Sequence, residues 1–378
     1  MIDAGSLRGR IDGEPTTCRE NPVAQACSFA AWSGERALRL RFTLLVKIRM
    51  NSLYKFSRGF LNNGGMTMIV TVTLNPSVDE EYLLDEIVLG SWSRANATLR
   101  MPGGRGVNVA LMLTQLGYSA VAMGFLAGFN GEYIRDALRR ANVTTNFVHI
   151  QGETRTNVYL SLKNPDEGTS IYEKGPRVDD EARKRFLMNY KRMINRASAV
   201  VIGGSLPAGM PKETYKELSL MAKEAGLPVY IDAYGSPFLM ALETQPRMAK
   251  VPDTQIEHLA GRPVDSLEAY VAAAHKVHEM GIPWGVVSYQ VYGDVFATSH
   301  GTYLAKMTRD KSQAFLFTAR DALVTGMVIA DAEGMGTEDS IRFAMACAIE
   351  SSTHVDKNIK GRASIEPYID KVTLEKLD

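Results

Sequence analysis

The sequence predicts an α/β protein built on a doubly wound, mainly parallel sheet. Short apolar or β-branched runs alternate with amphipathic stretches of helical periodicity from residue 68 to the C-terminus. The predicted strands include residues 69–74, 120–125, 199–202, 228–231 and 284–287. The predicted helices include residues 107–116, 212–224 and 266–280. Strands that alternate with helices favour right-handed crossovers, so we expect helices on both faces of one sheet.

Two segments of a different pattern predict a small β-flap, or lid. Residues 81–100 and 157–172 alternate polar and apolar side chains, as half-exposed strands do. Ligands of doubly wound sheets bind beyond the carboxyl ends of the strands. We therefore expect a small antiparallel flap over a ligand crevice at that edge.

The first 65 residues differ from the rest of the chain. They contain ten Arg or Lys and five Asp or Glu, and their apolar residues show no sustained period outside residues 37–50. A targeting peptide is the less favoured interpretation, because acidic residues are present and no cleavage pattern follows an apolar core. We expect residues 1–65 to be a disordered extension or to precede the true start, and residues 66–378 to form one domain.

Composition argues against several classes of protein. Lys plus Arg (43) and Asp plus Glu (42) give a formal net charge of +1, so no basic field indicates a nucleic-acid partner. Three cysteines are too few for a disulfide framework, which fits a reducing compartment. No stretch approaches the ~20 apolar residues of a membrane helix. We expect a cytoplasmic protein with neither a nucleic-acid partner nor a membrane span.

Two loops near the start of this domain carry polar groups suited to a sugar. In residues 73–79, Asn-Pro ends a strand and brings Asp79 to its tip, where a carboxylate can accept hydrogen bonds from sugar hydroxyls. A solvated Asp in an Asx turn explains Asp79 equally well. In residues 102–110, three glycines lead directly into a helix, so that backbone N–H groups can approach an anion or polar ligand. A tight turn between flap and helix is the alternative there.

Later loops add further candidates. Residues 152–158 place Arg155 and Asn157 beside a predicted flap strand, where Arg155 either captures a phosphate or is a solvated surface charge. Residues 203–209 form a small-residue loop that could wall a pocket. Asp232 and Tyr234 follow another predicted strand and either contact a ligand or form a capped turn.

Four of these motifs, in this order, resemble the ribokinase/phosphofructokinase-B superfamily of carbohydrate kinases. Within it, the chain is most similar to the 1-phosphofructokinase and tagatose-6-phosphate kinase branch. The resemblance extends from about residue 68 to the C-terminus, and it implies a ribokinase-like fold. The motifs are Thr-Leu-Asn-Pro-Ser-Val-Asp at 73–79, Gly-Gly-Arg-Gly-Val-Asn-Val-Ala at 103–110, Thr-Arg-Thr-Asn-Val at 154–158 and Gly-Ser-Leu-Pro at 204–207.

The resemblance implies phosphoryl transfer from ATP with Mg²⁺ to the primary hydroxyl of a ketohexose phosphate, either fructose 1-phosphate or tagatose 6-phosphate. Flaps of this kind often form homodimers in the family, so the resemblance also suggests a homodimer through the flap. It also assigns substrate-binding roles to one set of residues and the role of general base to Asp321. The substrate-binding set is Asp79, Gly103, Gly104, Arg105, Asn108, Arg155 and Asn157.

This chain departs from the family on the nucleotide side. The family's Gly-Ala-Gly-Asp reads Thr318-Ala319-Arg320-Asp321, so the Asp is kept and both glycines are lost. Arg320 either distorts the anion hole that the glycine amides form or supplies positive charge to the phosphates. The resemblance places these residues at the nucleotide, together with Ser288 and Gly293.

Further departures concern the metal and the phosphates. The family's Lys-Pro-Asn-x-x-Glu reads Lys-Val-Pro-Asp-Thr-Gln at 250–255, which weakens the carboxylate environment of Mg²⁺, although a one-residue gap would recruit Asp253 or Glu257. The family has Lys where this chain has Arg105 and where it has Tyr159. Two hypotheses follow: a working hexose-phosphate kinase, or a kinase homologue that binds a sugar phosphate as a sensor or partner subunit with little turnover.

Overall fold

A ten-stranded sheet and a four-stranded flap contain all the strands of the described chain. The computed structural model describes residues 68–162, 168–289, 293–307, 319–354, 356 and 358–378. The prediction for residues 1–65 and the nucleotide role of Thr318 therefore lie outside the described residues. The strands are β1 Met68–Thr73, β2 Ser77–Leu84, β3 Ala97–Gly103, β4 Ser119–Leu126, β5 Thr144–His149, β6 Arg155–Leu162, β7 Thr169–Tyr172, β8 Ala197–Gly204, β9 Val229–Ala233, β10 Met248–Val251, β11 Trp284–Tyr289, β12 Gly293–Thr298, β13 Gly301–Met307 and β14 Val372–Lys376.

Ten described helices connect these strands. They are α1 Arg105–Gln115, α2 Gly128–Arg140, α3 Asp180–Ile194, α4 Thr214–Glu224, α5 Gly235–Leu242, α6 Asp253–Ala260, α7 Leu267–Glu279, α8 Ala319–Ala332, α9 Thr337–Ser352 and α10 Arg362–Ile369. Each strand and helix predicted in the sheet domain is present, with ends shifted by one or two residues. Among the described residues, no helix is long and apolar enough to span a bilayer.

The main sheet is parallel through seven strands and antiparallel at one edge. Its order is β14-β13-β12-β11-β10-β9-β8-β1-β4-β5. All pairs from β11 to β5 are parallel, whereas β12, β13 and β14 add antiparallel strands beyond β11. The central strands are apolar on both faces because helices cover both sides. The predicted doubly wound, mainly parallel sheet is confirmed.

Two apolar cores lie on opposite faces of this sheet, as β1 illustrates. Ile69 packs into the core under helices α1, α2, α8, α9 and α10. Its neighbours Val70 and Val72 pack into the core under α3, α4, α5, α6 and α7. Successive side chains of a strand point to opposite faces, so an unbroken apolar run supplies both cores.

The flap is a separate sheet of order β3-β2-β6-β7. Its outer pairs are antiparallel, but the central pair β2–β6 is parallel, so the prediction of a purely antiparallel flap is wrong. The predicted segment 81–100 is also not one strand: β2 begins at Ser77, and residues 85–96 are loop before β3. The parallel pair arises because β6 enters from the main sheet alongside β2 rather than returning from it through a hairpin.

Candidate active site

A cavity of about 430 Å³ lies between the flap and the carboxyl ends of the central strands. Asp79 and Asn157 reach it from the flap, and Asp321 reaches it from the first turn of α8. Burial of these polar groups has a free-energy cost unless protein or ligand atoms pair with them. The lining residues are Thr73, Asn75, Asp79, Gly104, Arg105, Asn108, Arg155, Asn157, Tyr159, Tyr172, Gly204, Ser205, Tyr234 and Asp321.

Asp79 is fixed by neighbours on the flap. Its Oδ1 accepts hydrogen bonds from Ser77 Oγ at 2.7 Å and from Asn157 Nδ2 at 2.9 Å. Gly103 lies beside the carboxylate, and any Cβ at that position would overlap the carboxylate atoms. The structure places Asp79 within strand β2 rather than in the predicted loop, because β2 starts immediately after the Asn-Pro turn.

Two pocket-lining asparagines carry side-chain oxygens with no hydrogen-bond partner among the described residues. They are Oδ1 of Asn75 and Oδ1 of Asn157, and both residues are only 5% exposed. Their amide nitrogens are held in place: Asn75 Nδ2 donates to Lys174 O and Ser205 Oγ, and Asn157 Nδ2 donates to Asp79. A buried acceptor without a partner is unfavourable, so a ligand with several hydroxyl groups suits this pocket.

Arg155 is a pocket-lining cation whose side chain donates hydrogen bonds to uncharged backbone carbonyl groups. Its Nε donates to the carbonyl of Asn75 at 3.2 Å and its Nη1 to the carbonyl of Glu173 at 3.3 Å. Burial lowers the pKa of Arg155 from its ordinary value, and the charge of Asp79 opposes that shift. An arginine held by carbonyls keeps its positive charge available to an anion such as a phosphate.

Arg105 and Asn108 both bind Asp321. Arg105 Nη1 donates to Asp321 Oδ1 at 3.0 Å, and Asn108 Nδ2 donates to Asp321 Oδ2 at 2.7 Å. Burial raises the pKa of Asp321, and although Arg105 and Asn108 counteract burial, the pKa stays above its ordinary value of 3.8. Gly104, which has φ of 112°, is the N-cap of helix α1, whose first turn carries Arg105 and Asn108 towards the cavity. A carboxylate with a raised pKa is suited to accepting a proton.

A second ion pair lies behind the first. Arg320 donates from Nε to both oxygens of Asp232, at 2.9 and 3.0 Å, and Nη2 lies 2.7 Å from Oδ1. Arg105 Nε lies 3.8 Å from the same carboxylate and also donates to the hydroxyl of Tyr234. Burial would raise the pKa of Asp232, but Arg320 and Arg105 outweigh burial and lower it. The charges therefore alternate from Arg320 through Asp232 and Arg105 to Asp321.

The remaining residues predicted at the nucleotide lie apart from the cavity lining. Ser288 accepts a hydrogen bond from the buried Lys250 at 2.9 Å, and Lys250 also pairs with Asp294 at 2.5 Å. Gly293 begins strand β12, and Ala319 begins helix α8. Arg320 is linked to this group, since its Nη2 also donates to the carbonyl of Lys250 at 3.3 Å.

The donor set present does not fit a protein-held Mg²⁺. Among the described residues, no group of three or more His, Cys, Asp or Glu side chains is placed to hold a metal ion. Asp232 and Asp321 are both paired with arginines, and Asp253 is 81% exposed. The described side chains therefore provide no set of ligands for a Mg²⁺ ion held by the protein alone.

The sequence left the roles of several residues in and around the cavity open, and it did not indicate Tyr172. Asp232 and Tyr234 were equally compatible with a simple turn, but Asp232 binds Arg320 and the Tyr234 hydroxyl accepts from Arg105. Tyr159 and Tyr172 also line the pocket and pack edge to face, with ring centroids 5.9 Å apart. Ser205 lines the pocket after β8. The position of Tyr234 directly after a parallel strand was the available signal.

Comparison with known proteins identifies the family to which the chain belongs. A family model described as pfkB family carbohydrate kinase matches residues 72–358. The chain belongs to the pfkB family of carbohydrate kinases. The resemblance that the motifs indicate is thus confirmed, and the glycine-rich turn, Arg155 and Asp321 all lie within the matched region.

Individual proteins that are similar to this chain agree with the family assignment. The chain is 30% identical over 310 residues to a 1-phosphofructokinase of Bacillus subtilis, covering 82% of this chain and 100% of the relative. It is 32% identical to a solved structure described as a possible 1-phosphofructokinase from Thermotoga maritima, with a TM-score of 0.75 and coverage of 82% and 100%. A tetrameric inhibited form of phosphofructokinase-2 from Escherichia coli is 24% identical, with a TM-score of 0.70 and coverage of 81% and 99%, and it shows the same fold.

Proposed function

We propose that the protein transfers a phosphoryl group from ATP to the primary hydroxyl of a ketohexose phosphate, either fructose 1-phosphate or tagatose 6-phosphate. One observation carries the proposal: the carboxylate of Asp321 lines the same cavity as Asp79, Asn157 and Arg155. A proton acceptor, an acceptor for sugar hydroxyls and a cation for phosphate thus surround a single ligand-sized space.

Each of these groups has a distinct role in the proposal. Arg155 binds the phosphate already present on the sugar, and Asp79 with Asn157 accepts hydrogen bonds from its hydroxyls. Asp321 takes the proton of the reacting hydroxyl as its oxygen forms a bond to the γ-phosphorus. The bond from that phosphorus to the β,γ-bridging oxygen breaks, and ADP leaves with the electron pair. Membership in a kinase family is what supports ATP, usually with Mg²⁺, as the donor.

A coupled assay of ADP release tests this proposal across a panel of ketohexose phosphates. The wild-type chain is expected to turn over at least one of them, and Asp321→Asn is expected to lower kcat by ~10²- to 10⁴-fold because the proton acceptor is lost. The sugar-phosphate affinity of the variant should stay close to wild type, since Arg155, Asp79 and Asn157 are unchanged. Equal background from both proteins would exclude catalysis.

A second candidate function is binding of the sugar phosphate without turnover, as a sensor or partner subunit. It is favoured by the hydrogen bonds that already engage both carboxylate oxygens of Asp321 and by the side chain of Arg320 at a position where the family has glycine. Saturable binding of fructose 1-phosphate together with an absence of ADP release would select this candidate.

We also propose that two copies of the chain associate through the flap. Trp92 and Leu89, in the loop between β2 and β3, are 79% and 93% exposed, and Ile171 on β7 is 56% exposed. Large apolar side chains exposed on the flap and on the loop that connects its strands favour association with a second apolar surface. Light scattering should give a dimer for the wild type and a monomer for Trp92→Glu combined with Ile171→Glu. A wild-type monomer at micromolar concentration would contradict the proposal.

A further inference from the structure

Arg320 lies at the start of helix α8, next to the candidate general base Asp321. It is the second residue of helix α8 and directly precedes Asp321, at the position of the second glycine in the family's Gly-Ala-Gly-Asp. A glycine there offers only its backbone N–H to a phosphate, whereas Arg320 adds a guanidinium group. The side chain is 13% exposed, so its charge lies inside the protein.

Three contacts fix the orientation of this guanidinium. Asp232 accepts hydrogen bonds from Nε at 2.9 and 3.0 Å, and its Oδ1 lies 2.7 Å from Nη2. The carbonyl of Lys250 accepts from Nη2 at 3.3 Å. Within the described residues, Nη1 has no hydrogen-bond partner, and its nearest carboxylate is the exposed Asp253 at 3.9 Å. The fork is thus held in one orientation, and Nη1 is the nitrogen that these hydrogen bonds leave unused.

The charges around Asp321 show what Arg320 contributes. Arg105 and Arg320 balance Asp232 and Asp321, and the nearby Lys250 is balanced by Asp294. Without Arg320 this group would carry one net negative charge. A negative field at that point would repel an incoming phosphoryl group, and in a buried site such repulsion is weakly screened.

We propose that Arg320 is a further catalytic residue, whose Nη1 donates hydrogen bonds to a non-bridging oxygen of the phosphoryl group being transferred. The guanidinium thereby supplies a side-chain donor at a position where the family has glycine, and Asp232 is the positioning residue that orients it. The proposal rests on the proposed function and adds no covalent step to it. It explains how the chain can lose both glycines and keep an Asp at 321.

The test compares Arg320→Met with Arg320→Lys and with Arg247→Met as a matched control. Arg247 also binds an aspartate, Asp331, through Nε and Nη2, but both residues line a different pocket. Turnover is measured by ADP release, and the dissociation constants of ATP and of fructose 1-phosphate are measured separately by calorimetry. Thermal unfolding reports whether each variant folds.

Arg320→Met should lower kcat by ~10²-fold or more and weaken ATP binding, with the affinity for fructose 1-phosphate within a few-fold of wild type. Arg320→Lys should recover part of both losses, because it restores the charge without the fork. Arg247→Met should match the wild type in kcat and in ATP affinity. An increase in turnover or in ATP affinity on losing the guanidinium would overturn the inference, because Arg320 would then obstruct the donor site.

The failure of this inference differs from the failure of the proposed function. A wild-type chain that binds fructose 1-phosphate but not ATP overturns the role of Arg320 and leaves the sugar site intact. A wild-type chain that binds no ketohexose phosphate overturns the proposed function. In that case the ATP affinities of the wild type and Arg320→Met still decide the inference, because a phosphate-binding guanidinium strengthens ATP binding with or without an acceptor.

Discussion

Asp321 is only 1% exposed, and both of its carboxylate oxygens accept hydrogen bonds from charged or polar side chains. Burial favours the neutral acid, whereas Arg105 and Asn108 favour the carboxylate. These opposing effects leave its pKa above 3.8. A general base works only when deprotonated, so the activity should fall as the pH decreases through this raised pKa.

The variant Asn108→Ala tests that balance. The amide of Asn108 donates to the carboxylate and so lowers its pKa, and removing the amide should raise the pKa of Asp321 further. The acid limb of the kcat profile is therefore expected to move to higher pH, together with a loss of activity at neutral pH. The measurement is kcat against pH for the two proteins.

Thr114→Ala is the control for this experiment. Thr114 lies on the same helix, α1, but its hydroxyl donates to the carbonyl of Ala110 and not to the site. The acid limb of the kcat profile of Thr114→Ala should coincide with that of the wild type. If Asn108→Ala also kept the wild-type limb, the assignment of the base to Asp321 would lose its support.

Motif order predicted which residues meet, but not how they pair. The sequence indicated that Asp79, Asn108 and Arg155 share one pocket, because the loops after parallel strands converge at one edge. It could not predict that Arg105 binds Asp321, 216 positions away, because such a pairing depends on side-chain direction. The pairing of Asp232 with Arg320 was missed for the same reason.

At the scale of elements, strand β3 ends in a glycine, which leaves room for the side chain of Asp79 against the backbone of β3. Gly103 ends this strand opposite Ser77, and a Cβ there would overlap the Asp79 carboxylate. Gly103→Ala should therefore displace Asp79 and weaken the binding of a ketohexose phosphate by at least ~10-fold, since a hydrogen bond to a charged group contributes about 1.5–3 kcal/mol. Calorimetry measures the dissociation constant.

Gly336→Ala provides the matched control. At Gly336, which precedes α9, an added Cβ would meet only Asp339 Oδ2 at 3.7 Å, an ordinary contact. This variant should bind the sugar phosphate as the wild type does. Unchanged binding in Gly103→Ala would mean that Asp79 does not contact the ligand.

The flap also shows where sequence patterns are least informative. Alternating polarity predicted strands, but it does not specify the partner or direction of a strand, and the parallel pairing of β2 with β6 was not anticipated. The strands and helices of the main sheet were predicted well, because unbroken apolar runs alternating with amphipathic helices are typical of few architectures.

At the scale of the whole molecule, the Bacillus subtilis relative is matched along its full length by 310 residues of this chain. The family model begins at residue 72. We therefore expect a variant that lacks residues 1–65 to bind a ketohexose phosphate with wild-type affinity and to unfold at the same temperature. A large loss of affinity after this deletion would give the N-terminal segment a role in the site.

The cavity beneath the flap is expected to bind a phosphorylated ketohexose through Arg155, and the proposed function depends on this binding. Calorimetry of the full chain with fructose 1-phosphate, tagatose 6-phosphate and unphosphorylated fructose, repeated with Arg155→Met, tests it most directly. The wild type is expected to bind one of the phosphates ~10- to 100-fold more tightly than fructose, and Arg155→Met is expected to abolish this preference. Equal affinity for fructose and for both phosphates, or a preference that survives the substitution, would contradict it.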